Sequence, residues 1–262
     1  MSGVSSSPMP SSAPELRVDE LRASYPQTGL GPRLEVLGGL SLSLSTGTFV
    51  ALVGPNGCGK TTLLLCIAGL LRPDSGVIEF RSNGKSGRNV GLVFQNYRES
   101  LFPWLTVRDN IGFGLRGQGL SAGEAGSRAG RLCEELGISL PLTRYPYELS
   151  GGQQQLASIL RALITEPRIL LLDEPFGSLD AITREELRPE LLKIWRLTGT
   201  TCLLVTHDVD DALSLSDRII VLSRKPSVVA MDVDVPPPVR DHADPQARWE
   251  LRLRVHDGLV AK

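Results

Sequence analysis

Three features of this 262-residue chain predict an α/β fold built on a largely parallel sheet. NVGLVF, RILLLDEP, TTCLLVT and RIIVLS are apolar runs without alternation, as expected of strands buried on both faces. Helical periodicity separates such runs, most clearly in LASILRALI, where Leu156, Ile159, Leu160, Leu163 and Ile164 recur on one face. A glycine-rich turn, GPNGCGKTT, joins the β-rich TFVALV to TTLLLCIAGLL, which is apolar nearly all round and reads as a buried helix.

Taken in order, the Ser- and Pro-rich start predicts a disordered tail over residues 1–14, with neither the basic nor the apolar region of a secretory signal. From Leu16, LRVDEL and LSLSL alternate in polarity and predict strands ahead of the core. Between Gln95 and Ser150 the rhythm breaks. The glycines of GFGLRGQGLSAGEAG predict flexible turns beside a helical RAGRLCEELG, hence a mainly helical insertion over about 96–160. Past residue 225, VVAMDVDV predicts an added hairpin strand, PPPVRDHADPQ a loop and ARWELRLRVHDGLVAK a surface helix. A main domain over 15–225 and a β/helix extension over 226–262 follow.

Composition narrows the function. A net charge of −1 lacks the basic excess that phosphate-backbone binding uses, so no nucleic-acid partner is expected. Cys58, Cys66, Cys133 and Cys202 form no CxxC pair and show no metal spacing with the histidines, which fits a reduced cytosolic chain. No apolar run approaches the roughly 20 residues of a bilayer-spanning helix.

GPNGCGKTT fits G-x-x-x-x-G-K-[ST] in the strand-to-helix context that the phosphate-binding motif requires. Gly54, Gly57 and Gly59, with Pro55, Asn56 and Cys58 between them, let the backbone aim successive N–H groups at phosphates, and Thr62 belongs to the same helix start. Lys60 supplies a cation for the β- and γ-phosphates, and Thr61 a hydroxyl ligand for Mg²⁺. RILLLDEP then delivers Asp173 and Glu174 to a strand's C-terminal end, the edge where parallel sheets bind ligands. Asp173 suits Mg²⁺, and Glu174 suits polarisation of an attacking water.

LSGGQQQ adds a second glycine-rich anion site opening a helix. With it, the chain from about Leu16 to Ser223 resembles the ATP-binding-cassette ATPases in motif order: Tyr25 in ASYPQTG, GPNGCGKTT, Gln95, LSGGQQQ, ILLLDEP, GSLD around Asp180, and His207 in VTHD. The resemblance implies a P-loop NTPase core, an N-terminal antiparallel β subdomain and a helical insertion carrying the signature. It implies ATP and Mg²⁺ as cofactors, with Tyr25 stacking on adenine, Gln95 contacting Mg²⁺ or the lytic water, and His207 touching the γ-phosphate. Ser150, Gly151, Gly152 and Gln153 are then expected to close over ATP held by a second ATPase subunit, most economically an identical one, with Asp180 linking the two sites. Leu156 stands where transporter members commonly have Arg, and Leu160 where Ala is common; both fall on the apolar stripe.

Among family tasks, DNA or ribosome maintenance usually brings coiled-coil insertions or paired cassettes, which this chain lacks. An ATPase for a soluble assembly, such as iron–sulfur biogenesis, is separated from a transport subunit by co-purification with a multi-span protein. NYRESLFPWLTVRDNI, FGSLD and the tail from Arg224 are similar to the nitrate/sulfonate/taurine and bicarbonate importer group. That resemblance implies two transmembrane permease subunits, an extracytoplasmic substrate-binding protein and a place on the cytoplasmic face of the membrane. Tyr97, Leu101, Phe102 and Trp104 are expected to contribute to a surface that receives a short permease helix, the alternative being a satellite core beneath the helical insertion into which some of them pack.

Overall fold

The computed structural model describes residues 14–26, 33–81, 90–96 and 100–260. The expected tail lies, but for Pro14, outside them, as does Tyr97. Strands β1 (Leu16–Tyr25), β2 (Leu34–Leu44) and β3 (Phe49–Val53) lead to α1 (Lys60–Ala68), β4 (Ser75–Phe80) and β5 (Val90–Val93). Helices α2 (Val107–Arg116) and α3 (Ala122–Leu136) follow, then a 3₁₀ turn at Pro146–Glu148 and α4 (Gly151–Leu163). Alternation resumes with β6 (Ile169–Asp173), α5 (Ala181–Thr198), β7 (Thr201–Thr206), α6 (Val209–Leu215) and β8 (Arg218–Leu222). The chain closes with β9 (Val229–Asp234), α7 (Pro237–Arg240) and α8 (Pro245–Val260).

Two sheets result, the parallel core read from the apolar runs and the antiparallel β subdomain that the resemblance implies. The larger has the order β5-β6-β7-β3-β8-β9 and is parallel except for β9, which pairs antiparallel with β8. The smaller is antiparallel, in the order β2-β1-β4.

Strand alternation decides where each side chain goes. On β6, Leu170 and Leu172 join the helices of the middle segment and Phe49, while Ile169 and Leu171 join α1 and the inner face of the small sheet. Both faces are dry, which is why these strands read as continuous apolar runs. A third cluster seats α6 and α8 against Ala51, Val53, Ile219 and Val221, with Leu251 and Val255 as the buried side of α8. Leu156 and Leu160 are both buried in the helix-side core.

The glycine-rich middle departs from expectation. GFGLR lies within α2 and AGEAG opens α3, which starts on a Ser121–Glu124 capping box. A Cβ on Gly112 would sit 2.8 Å from the Ala125 carbonyl oxygen, so this glycine serves close helix packing rather than a turn. Two elements carry weak sequence signals. The edge strand β4 is mostly exposed, and α5 contains Pro189 and buries only Leu187, Leu191 and Ile194.

Candidate active site

The phosphate loop leaves β3 between two neighbouring parallel strands, β7 and β8. Gly59 takes φ 115°, a left-handed value that a side chain disfavours, and a Cβ there would meet Val36 Cγ1 at 2.7 Å. Helix α1 begins at the next residue, so its free N–H groups face the loop. Lys60 is buried, and its Nζ donates to the carbonyls of Gly54 at 2.8 Å and Pro55 at 3.1 Å. Cys58 is buried beneath the loop, and that burial pushes its thiol up from the usual range. Asn56 and Gly57 are exposed at the loop's tip. The Tyr25 hydroxyl lies 3.4 Å from Thr62 Oγ1, which puts this half-exposed ring beside the start of α1.

Adjacent strand β6 brings the carboxylates to the same edge. Thr61 donates to Asp173 Oδ1 at 3.3 Å. Burial raises the Asp173 carboxyl above the ordinary carboxylate range, against the lowering effect of the Thr61 hydroxyl, and neighbouring Glu174 raises it further. A desolvated carboxylate beside a hydroxyl is a hard-oxygen pair suited to Mg²⁺. Among the described residues no cluster of three or more His, Cys, Asp or Glu forms an all-protein metal cage. That donor set fits an ion that keeps water and takes the rest of its shell from phosphate oxygens.

Glu174 holds φ 44° just past the strand, and its Oε2 accepts from Gln95 Nε2 at 3.3 Å and lies 3.1 Å from His207 Nδ1. Gln95 comes from the end of β5 and His207 from the end of β7, the strands on either side of β6. Two residues far apart in the chain, Gln95 and His207, thus converge on one oxygen of a third.

The signature residues lie elsewhere on the surface of this chain. Ser150 is exposed and caps α4, accepting from Gln153 N at 3.3 Å, while Gln153 Oε1 accepts from Ser150 N. Gly151 and Gly152 form the first turn, at the positive end of the helix dipole. A Cβ on Gly152 would meet Thr183 Cγ2 at 2.7 Å, so this end abuts the start of α5. There Asp180 caps α5 by accepting from Thr183 N and Oγ1, bonds that hold its carboxyl below the usual range.

The aromatic segment divides. Leu101 is 3% exposed and packs into the core, so it is no part of an outer surface. Trp104 is 70% exposed and stacks on Phe102, which meets Phe113 edge to face. Arg161 lies 4.2 Å over the Phe102 ring, donates to Ser100 O, and is lowered in pKa by burial. Asn110, fully buried, accepts from Phe102 N and donates to carbonyls of Phe102, Leu105 and Thr106, which fixes this irregular stretch. A cavity of about 660 Å³ runs from Gln95 and Asp173 to Ser100, Ser158 and Arg161.

Fold and site together define a phosphate-loop ATPase cassette. The ABC transporter family model matches residues 37–177. Taurine import ATP-binding protein TauB of Sinorhizobium fredii is 42% identical over 94% of each chain. A sulfate/thiosulfate import ATP-binding protein, CysA of Brucella melitensis, is 46% identical over 80% of this chain and 59% of its own. Among solved structures, the dimeric post-hydrolysis cassette MJ0796 bound to ADP and Pi aligns with a TM-score of 0.70 and 29% identity, covering 84% of this chain and 99% of that one. The chain therefore belongs to the ABC transporter family, and its chemistry is ATP hydrolysis to ADP and phosphate.

Proposed function

We propose that this chain is the nucleotide-binding subunit of a membrane importer for a small anion of the sulfonate, sulfate or nitrate class. It works at the cytoplasmic face as a homodimer, docked on two permease subunits that receive substrate from an extracytoplasmic binding protein. Similarity to import subunits for taurine and for sulfate or thiosulfate supports the transport reading. Among the described residues no helix is long and apolar enough to cross a membrane, which suits a peripheral partner of the permease.

The observation that carries the mechanism is the convergence of Gln95 and His207 on Glu174 Oε2, beside the Thr61–Asp173 pair. Adenine stacks on Tyr25. The triphosphate takes the loop from Gly54 to Thr62, with Lys60 exchanging its own loop carbonyls for β- and γ-phosphate oxygens. Thr61 and Asp173 would hold Mg²⁺, with Gln95 nearby, and the bound ion would neutralise phosphate charge.

Glu174 orients a water and accepts its proton as the water oxygen bonds to the γ-phosphorus. The bond to the β–γ bridging oxygen breaks, and ADP leaves with that electron pair. His207 contacts the γ-phosphate and, through Nδ1, the Glu174 carboxylate, which it holds in place. Charge on the transferring group is met from the far side by the first turn of the partner's α4, the turn that Ser150, Gly151, Gly152 and Gln153 form in each copy. Asp180, at the start of α5 against Gly152, links one site to the other. The Trp104–Phe102–Phe113 ladder and the adjoining cavity offer the permease helix its seat.

Glu174→Gln tests the reading. The variant should still dimerise with ATP in size-exclusion runs while phosphate release nearly stops; unchanged release would remove Glu174 from the base role.

A further inference from the structure

The Glu174–His207 contact joins two loops that leave adjacent strands, and neither side chain fixes the other's backbone. Residue 174 follows β6, whose last residue Asp173 is paired with Val205 of β7. Glu174 N still donates to the Val205 carbonyl at 2.9 Å, and the ladder between the two strands ends there. His207 is half exposed, and its ring is free to leave the carboxylate unless something anchors the loop beneath it.

Arg184, four residues into α5, reaches both loops. Its Nη1 donates to Asp208 Oδ2 at 2.8 Å, and its Nη2 lies 3.4 Å from the carbonyl oxygen of Phe176. Asp208 directly follows His207. Its other oxygen caps α6 by accepting from Asp210 N at 2.8 Å and Asp211 N at 3.2 Å, and its own N–H donates to Thr206 Oγ1. On the other side, Phe176 belongs to the turn closed by Gly177 N donating to the Glu174 carbonyl at 3.0 Å. One planar guanidinium therefore spans the turn after Glu174 and the cap after His207, with about a quarter of its side chain exposed. The backbone of Arg184 also donates to the Asp180 carbonyl, which ties the same residue to the first turn of α5.

We propose that Arg184 is a positioning residue for ATP hydrolysis: its fork keeps the Glu174 turn and the His207 loop in register, so that imidazole and carboxylate stay within hydrogen-bond reach during turnover. The proposal rests on the roles given above to Glu174 and His207. Arg184 acts on the site through Asp208 and Phe176. Its effect falls on the chemical step and leaves ATP capture to the phosphate loop.

Steady-state ATPase assays on the full-length chain test this with R184A, R184K, D208N, H207A and the R184A/H207A pair. R184A should lower kcat about 10- to 100-fold, with the ATP KM changed less than about twofold. The double variant should be no slower than H207A alone, because both lesions remove the same contact. R184K should recover part of the rate, since an ammonium reaches Asp208 but cannot fork to Phe176. D208N retains a cap acceptor and should reproduce the R184A loss at an unchanged thermal midpoint, which keeps the test valid should R184A fold poorly.

Wild-type turnover in H207A would overturn the underlying reading of the site, and the proposal with it. A slow H207A beside a wild-type R184A or D208N, or losses that multiply in the double variant, would overturn the proposal alone.

Discussion

The phosphate loop and the helical segment use glycine for opposite reasons. At Gly59 the backbone itself demands it, because φ 115° is a conformation that L side chains rarely adopt. At Gly112 the backbone is ordinary helix, and the demand comes from Ala125 of the facing helix, whose carbonyl would lie 2.8 Å from a Cβ. A left-handed glycine leaves a local pattern of neighbours, here the Lys and Thr residues that use the turn. A packing glycine leaves none, since its partner lies in another helix. The first is therefore legible in sequence, and the second reads as a loop.

The largest effect expected on that contrast is beside the phosphate loop, just past β6. Glu174→Gln should slow phosphate release by about 10²- to 10⁴-fold, the range for losing a general base. Lys60→Ala should weaken ATP affinity by about 10- to 100-fold in equilibrium titration, as a charge-assisted phosphate contact of about 1.5–3 kcal/mol is lost. Normal affinity would count against the phosphate assignment.

Gly112→Ala comes next. It should destabilise the fold by about 1–3 kcal/mol in urea denaturation through overpacking against Ala125, despite alanine's better helix propensity. Gly130 in α3 is the control, with only Leu142 Cδ1 at 4.0 Å from its would-be Cβ. Gly130→Ala should stabilise by about 0.5–1 kcal/mol, so opposite signs at two helical glycines would sharpen the distinction.

Asp173 links site to stability through its raised pKa. A carboxyl whose folded value lies above its unfolded one favours the fold while protonated. That contribution is lost as pH rises from the unfolded value through the folded one, and at neutral pH the buried charge is a net cost. Asp173→Asn should therefore raise the thermal midpoint at pH 7 and leave it nearly unchanged near pH 3, while ATP turnover is lost. A lower midpoint at pH 7 would contradict the burial argument. Trp104→Ala should do least to the isolated chain. Exposed as this ring is, it should shift folding by no more than about 0.5 kcal/mol and spare basal ATPase, with the loss seen in transport by the assembled complex.

Much of the fold was legible because parallel strands buried on both faces leave unmistakable apolar runs, as in Ile169–Asp173. Edge strand β4 was not, since SGVIEF has little inward face to pattern. Helix α5 hid behind Pro189, although Leu187, Leu191 and Ile194 carry the helical spacing. The residues meeting at Glu174 were legible singly, through the family resemblance. Their joint contact was not, because it depends on β5, β6 and β7 lying side by side. Arg184 carried no signal of its own, since its partners Phe176 and Asp208 lie in separate loops. In the aromatic segment, composition marked Phe102 and Trp104, which do stack, but could not tell buried Leu101 from exposed Trp104.

The central claim is that each phosphate loop is completed by the signature turn of another copy, and mixed dimers test it most directly. Lys60→Ala disables the loop. Ser150→Asp keeps a good helix cap but sets a negative charge where the partner's phosphate would lie. Neither variant should turn over ATP at a useful rate alone. Mixed together, they should recover activity, because a mixed dimer holds one site with an intact loop and an intact signature from opposite chains. A mixture as inactive as its components, with mixed dimers shown to form, would contradict the account.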